Sequence, residues 1–138
     1  MAHITKIKVR GYHIDLYGHV NNARYLEFLE EARWAMLDDT VDREKWHTAG
    51  YGLSVVNINI NYQYPANMGD NLKIQSSVSK IGNKSILFDQ QIVLASDSTP
   101  VADALVTFVL VNRKTGRAIT LTGEIRKDLE KLSTRLNQ

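Results

Sequence analysis

Asn22-Ala23-Arg24-Tyr25-Leu26-Glu27-Phe28-Leu29-Glu30-Glu31-Ala32-Arg33-Trp34-Ala35-Met36-Leu37-Asp38 is the stretch on which the fold turns. It holds no proline or glycine, and its apolar residues recur at helical spacing. Asn22 reads as the N-cap and the helix as running from about Ala23 to Asp38. In the second half Ala32, Trp34, Ala35, Met36 and Leu37 cover most of the circumference, which predicts a buried helix. Glu27, Glu30, Glu31 and Arg33 keep one side polar.

Outward from this helix the pattern changes to period two. Upstream, Ile4 to Arg10 alternates as a strand, and a loop from Gly11 to Val20 leads to the helix. Downstream, a short helix over Asp42 to Thr48 ends at Gly50. Val56, Ile58, Ile60, Tyr62 and Tyr64 then alternate with Asn57, Asn59, Asn61 and Gln63, a strand with one polar face. Leu72, Ile74, Ser76 and Val78 continue the alternation, and Gly82-Asn83 marks a hairpin turn. Ile86 to Ala95 and Val101 to Asn112 are the longest strands. A turn at Arg113 to Gly116 leads to a short strand near Ala118 to Leu121. Ile125, Leu129, Leu132 and Leu136 give a terminal amphipathic helix. One long buried helix with several antiparallel strands is an α+β layer architecture.

The 138 residues fit one domain, taken over residues 1–138. There is no cysteine, which excludes disulfides and cysteine-ligated zinc and is compatible with a reducing cytoplasm. The net charge of +2 comes from interspersed acidic and basic residues, so nucleic acid is not an expected partner. No apolar run approaches the roughly 20 residues of a membrane span, and the first residues lack a signal peptide's apolar centre. The expectation is a soluble, cytoplasmic protein without membrane insertion.

Chemistry points to the loop before the helix, His13-Ile14-Asp15-Leu16-Tyr17-Gly18-His19-Val20-Asn21-Asn22. A helix N-terminus carries unpaired N–H groups and a partial positive charge, which can polarise a carbonyl and hold an oxyanion. A carboxylate close by can activate water or attack directly. Thioester hydrolysis needs those two parts. On the residues alone, an Asp in a turn before a helix is ordinarily a capping or turn residue.

The pattern Asp15-x-x-Gly18-His19-Val20-Asn21-Asn22-x-x-Tyr25 resembles the 4-hydroxybenzoyl-CoA thioesterase-like family, and most of all its branch acting on long-chain acyl-CoA. Val55 to Tyr62 and Val101 to Phe108 carry the same resemblance, which extends from about Ile7 to Leu129. The resemblance implies the hotdog fold, an antiparallel β-sheet wrapped around a long central α-helix. It implies hydrolysis of fatty acyl-CoA to free acid and CoA, with no cofactor and no metal. The family's essential carboxylate falls on Asp15, its loop glycine on Gly18, and its carbonyl-polarising amide on the backbone N–H of Asn22. Gly18 and Tyr25 are the candidate substrate-binding residues. A homodimer or homotetramer with the site between subunits is also implied. Many relatives carry a second acid where this chain has His13, and some carry an aromatic residue at Asn22. Both departures set the chain apart from members acting on aromatic thioesters.

Plainer readings stand beside these. His13, Asp15 and His19 could be imagined as a metal trio, but the fold accounts for them; His19 is expected to fix the loop by hydrogen bonds, and His47 to lie on the surface. Tyr25, Phe28, Leu29, Ala32 and Met36 suit core packing as well as an acyl pocket. Lys80, Lys84, Arg113, Lys114 and Arg117 lie near turns and could meet CoA phosphates, and none is singled out. The Asn57, Asn59, Asn61 row is equally a solvated face or a subunit contact. Two rival functions remain. A hotdog enoyl-CoA hydratase needs an Asp and His pair in a different local pattern. A non-catalytic acyl-CoA-binding sensor ordinarily needs a fused output domain.

Overall fold

The computed structural model describes residues 2–136. Strand β1 (His3–Lys8) leads through a 3-10 turn at Gly11–His13 to helix α1 (Asn22–Thr40) and a short helix α2 (Arg43–Thr48). Strands β2 (Tyr51–Tyr62), β3 (Asn71–Ile81), β4 (Ser85–Leu94) and β5 (Pro100–Asn112) follow, and α3 (Gly123–Leu136) closes the described chain. The strands form one antiparallel sheet in the order β1-β3-β4-β5-β2.

The alternation in β3, β4 and β5 decides which face of the sheet is covered. Leu72, Ile74 and Val78, Ile86, Phe88 and Ile92, and Val106, Phe108 and Leu110 are buried, whereas their sequence neighbours are more open. Against that face α1 presents Tyr25, Phe28, Leu29, Ala32 and Met36, the i, i+3, i+4, i+7, i+11 stripe. Each large side chain sealed there contributes about 1.5–3 kcal/mol of transfer free energy. The backbone of α1 approaches β1 and β3 most closely, so it leans away from the β2 edge. α3 buries Leu129, Leu132 and Leu136 and packs toward β3.

Several expectations shift. The N-cap is Asn21, not Asn22: the Asn21 side chain accepts from Ala23 N at 2.9 Å, and Asn22 is the first helical residue. Arg33 does not belong to the polar side of α1, since it is buried and its Nη1 donates to Gln90 Oε1 at 3.2 Å. Trp34 lies outward, half exposed, with the Arg43 guanidinium 4.5 Å above its ring. β2 begins at Tyr51, five residues before the expected Val56. A β-bulge between Val55 and Asn57 reverses the alternation there, so Leu53 and Val55 share a face with Ile58 and Ile60. Ala118 makes one isolated bridge with Val111 in place of a short strand.

Candidate active site

The loop between β1 and α1 folds back on itself. Ile14 bridges Val20, Asp15 N donates to His19 O at 2.8 Å, and Asn21 N donates to His13 O at 2.8 Å. The two ends of the loop therefore lie side by side at the start of α1. Gly18 closes a turn by donating its N–H to Asp15 O at 3.2 Å, with φ at +83°. A side chain there would meet no atom within 4 Å, so the need for glycine is one of backbone conformation.

Asp15 is half-buried, and its Oδ1 accepts from Tyr17 N at 2.9 Å and more weakly from His19 N at 3.4 Å. These two amides fix the carboxylate through one oxygen. Oδ2 has no hydrogen-bond donor among the described residues. Leu16 and Tyr17, next to it, are 92% and 82% exposed, an apolar tip unusual for a turn.

Asn22 supplies the other half. Its side-chain cap comes from Asn21, which takes the Ala23 N–H and leaves the Asn22 N–H without an acceptor among the described residues. No acidic side chain lies in the first turn of this 19-residue helix. The partial positive charge at its start is thus not neutralised from within the helix. The Asn22 carbonyl accepts from the Tyr62 hydroxyl at 3.1 Å, which ties the helix start to the end of β2.

Tyr25, a candidate for substrate contact, is buried. Its hydroxyl accepts from Ala66 N at 3.1 Å, and its ring meets Phe28 edge-on and Tyr62 at 5.5 Å. Ala66 O in turn accepts from Val20 N at 3.0 Å. The segment after β2 is therefore stitched to both the loop and the helix, a support that no local sequence signal marked.

His13 is the histidine that braces the loop. Its Nδ1 accepts from Arg10 N at 2.8 Å, and its ring packs edge-on against Phe28 at 4.8 Å. Burial pushes its pKa down from 6.5; the Arg24 charge adds to this, Glu27 opposes it, and Arg10 lowers it further. A neutral ring is what an acceptor Nδ1 requires. His19 contributes through its backbone, and His47 is exposed. No three His, Cys, Asp or Glu residues lie close enough to hold a metal among the described residues. No helix among them is long and apolar enough to cross a membrane.

Comparisons with known proteins bear on the family and the fold. The model of the thioesterase-like superfamily matches residues 9–129. The long-chain acyl-CoA thioesterase FadM of Escherichia coli is 52% identical over 129 residues, 93% of this chain and 97% of that protein. Among solved structures, YbaW of Escherichia coli, described as a probable thioesterase, superposes with a TM-score of 0.87 at 51% identity, covering 94% of this chain and 98% of that one. A 1,4-dihydroxy-2-naphthoyl-CoA thioesterase from Synechocystis shares the fold, with a TM-score of 0.85 at 18% identity over 100% of this chain and 99% of its own.

Proposed function

The chain belongs to the thioesterase-like superfamily, and from that premise we propose that it hydrolyses acyl-CoA thioesters, long-chain ones foremost, with Asp15 and the Asn22 N–H as its working groups. The observation that carries the reading is the unclaimed Asn22 N–H at the positive end of α1, on a loop that also holds the free oxygen of Asp15. The thioester carbonyl oxygen accepts from that N–H, which stabilises the oxyanion as it forms. Asp15 takes a proton from water as the water oxygen bonds to the carbonyl carbon; the C–S bond then breaks and the proton passes from Asp15 to the departing sulfur, which releases CoA as its thiol and restores the carboxylate. Direct attack by the carboxylate, followed by hydrolysis of an anhydride, uses the same two groups.

Gly18 serves by giving the loop its turn, and Tyr25 by holding the Ala66 segment beside the helix start; direct contact of either with substrate belongs to the same proposal. One domain, residues 1–138, acts without metal or cofactor. A second subunit supplies part of the CoA and acyl surface. Its docking edge is β2, which ends the sheet and exposes Val55 and Val56. A cytoplasmic location suits the cysteine-free composition. Neither a hydratase nor a non-catalytic sensor draws support from the relatives found. Release of CoA from tetradecanoyl-CoA, with crotonyl-CoA tested for hydration alongside, separates the readings. Hydration without hydrolysis overturns this one, and so does binding without turnover.

A further inference from the structure

A row of largely apolar β2 side chains runs from the start of α1 toward a buried charge. In the β2–β5 pair, Leu53, Val55, Ile58, Ile60 and Tyr62 stand opposite Leu110, Phe108, Val106, Ala104 and Ala102, all five of which are buried. Directly opposed residues share a face, so the β2 row lines the same side of the sheet as α1. Because α1 leans toward β1 and β3, this row is only partly covered, with Val55 40% and Tyr62 48% exposed. One end of the row meets the helix start, where Tyr62 bonds Asn22. The other end opens on a cavity of about 130 Å³ whose lining combines Arg33 and Glu30 with Trp34, Leu53, Val55 and Phe108.

Arg33 is the odd member of that lining. It is 6% exposed, yet no carboxylate pairs with it among the described residues. Glu30, three residues earlier, accepts instead from the Trp34 indole at 3.4 Å. Of five N–H donors on a guanidinium, the protein occupies one, through Gln90 Oε1, while the Phe108 ring lies 5.6 Å from its centre. Gln90 is itself spent on Leu29 O and Ser76 Oγ. The sealed and unpaired polar side-chain atoms among the described residues are His3 Nδ1 and Thr5 Oγ1, so the free Arg33 nitrogens are not sealed off. Glu30 acts on Arg33 through its charge without an ion-pair contact, so the guanidinium keeps spare donors for an acceptor that enters the cavity.

Resting on the thioesterase reading above, we propose that the Arg33 cavity, at the far end of the β2 row, is a polar subsite that takes an oxygen function carried on the acyl chain. The distance sets where on the chain that oxygen sits. Arg33 is 11 residues along α1 from Asn22, or about 16 Å at the helical rise. An extended chain advances about 1.2 Å per bond, so about 14 bonds separate the thioester carbon from the oxygen. An ω-hydroxytetradecanoyl chain fits this span. A plain alkyl chain of that length brings its methyl group against the guanidinium and offers it nothing.

The test compares kcat/KM for tetradecanoyl-, ω-hydroxytetradecanoyl- and octanoyl-CoA, the last being too short to reach the cavity. The native enzyme prefers the hydroxylated chain to its parent by about tenfold or more, the scale of one hydrogen bond to a charged group. In Arg33→Met the ratio of the hydroxylated substrate to octanoyl-CoA falls at least about tenfold. Should that variant not fold, Leu53→Trp, which fills the cavity from the half-buried β2 edge, lowers the same ratio. A native preference for the parent chain overturns the subsite, as does an unchanged ratio in a folded variant. Absence of turnover with octanoyl- and tetradecanoyl-CoA alike would count against the thioesterase reading itself, and so is distinguishable.

Discussion

The Tyr62 hydroxyl donates to the Asn22 carbonyl at 3.1 Å, joining the end of the edge strand to the first residue of the central helix across 40 positions of sequence. The bond fixes the height of the helix start relative to β2, and with it the aim of the Asn22 N–H, which has no acceptor among the described residues. Tyr62→Phe keeps the ring contact with Tyr25 and removes only this bond. We expect kcat to fall by about three- to tenfold, the scale of one ordinary hydrogen bond, with little change in Tm because Tyr62 is half exposed. Steady-state kinetics with a thermal melt on the same preparation check this; an unchanged kcat would show that the helix start is held without it.

Asp15→Asn keeps an oxygen to accept from the Tyr17 and His19 N–H groups, so the loop should survive. The variant loses basicity and nucleophilicity together. We expect kcat to drop by about two or more powers of ten with an unaltered circular dichroism spectrum. Near-native turnover would remove Asp15 from the mechanism.

His13 should make the loop acid-sensitive. Its folded pKa lies below its ordinary value, so between 6.5 and that lower value the unfolded chain binds more protons than the folded one. Stability therefore falls as the pH drops through this window and loses nothing more from His13 beneath it. His13→Phe gives up the Arg10 bond and lowers Tm at pH 7.5, but its Tm should decline less between pH 7.5 and 5.5 than that of the native protein. Parallel declines in the two proteins would refute the assignment.

Chain length and assembly should go together. Each methylene buried contributes about 0.8 kcal/mol, and eight supply on the order of 6 kcal/mol before ordering costs. We expect kcat/KM to rise steeply from acetyl- through hexanoyl- to tetradecanoyl-CoA, measured below micelle formation, and sedimentation of the active sample to show at least a dimer. A flat profile sinks the long-chain reading, and a fully active monomer sinks the shared site.

EDTA treatment is expected to leave activity unchanged, as the two working groups need no Lewis acid. Loss of activity restored by one divalent ion would overturn this.

Local periodicity was enough to locate three helices and all five strands, because α1 buries one stripe and β3 to β5 one face, and burial writes itself into spacing. The Asp15 loop was legible because its residues and spacing are unusual in themselves. What lay beyond local reading depended on partners far along the chain. Asn21 and Asn22 are chemically equal as caps; the Asn21–His13 and Tyr62–Asn22 bonds decide which begins the helix. The bulge at Val56 hid the first half of β2, since a single extra residue inverts a period-two pattern. Arg33 carries no mark distinguishing it from Glu30 or Glu31 on the same helix. Its burial follows from Gln90, 57 residues away on β4, and from the Phe108 ring beside it. A charge in a sequence tells its sign, while the dielectric around it and the acceptors within reach belong to the packed sheet and helix alone.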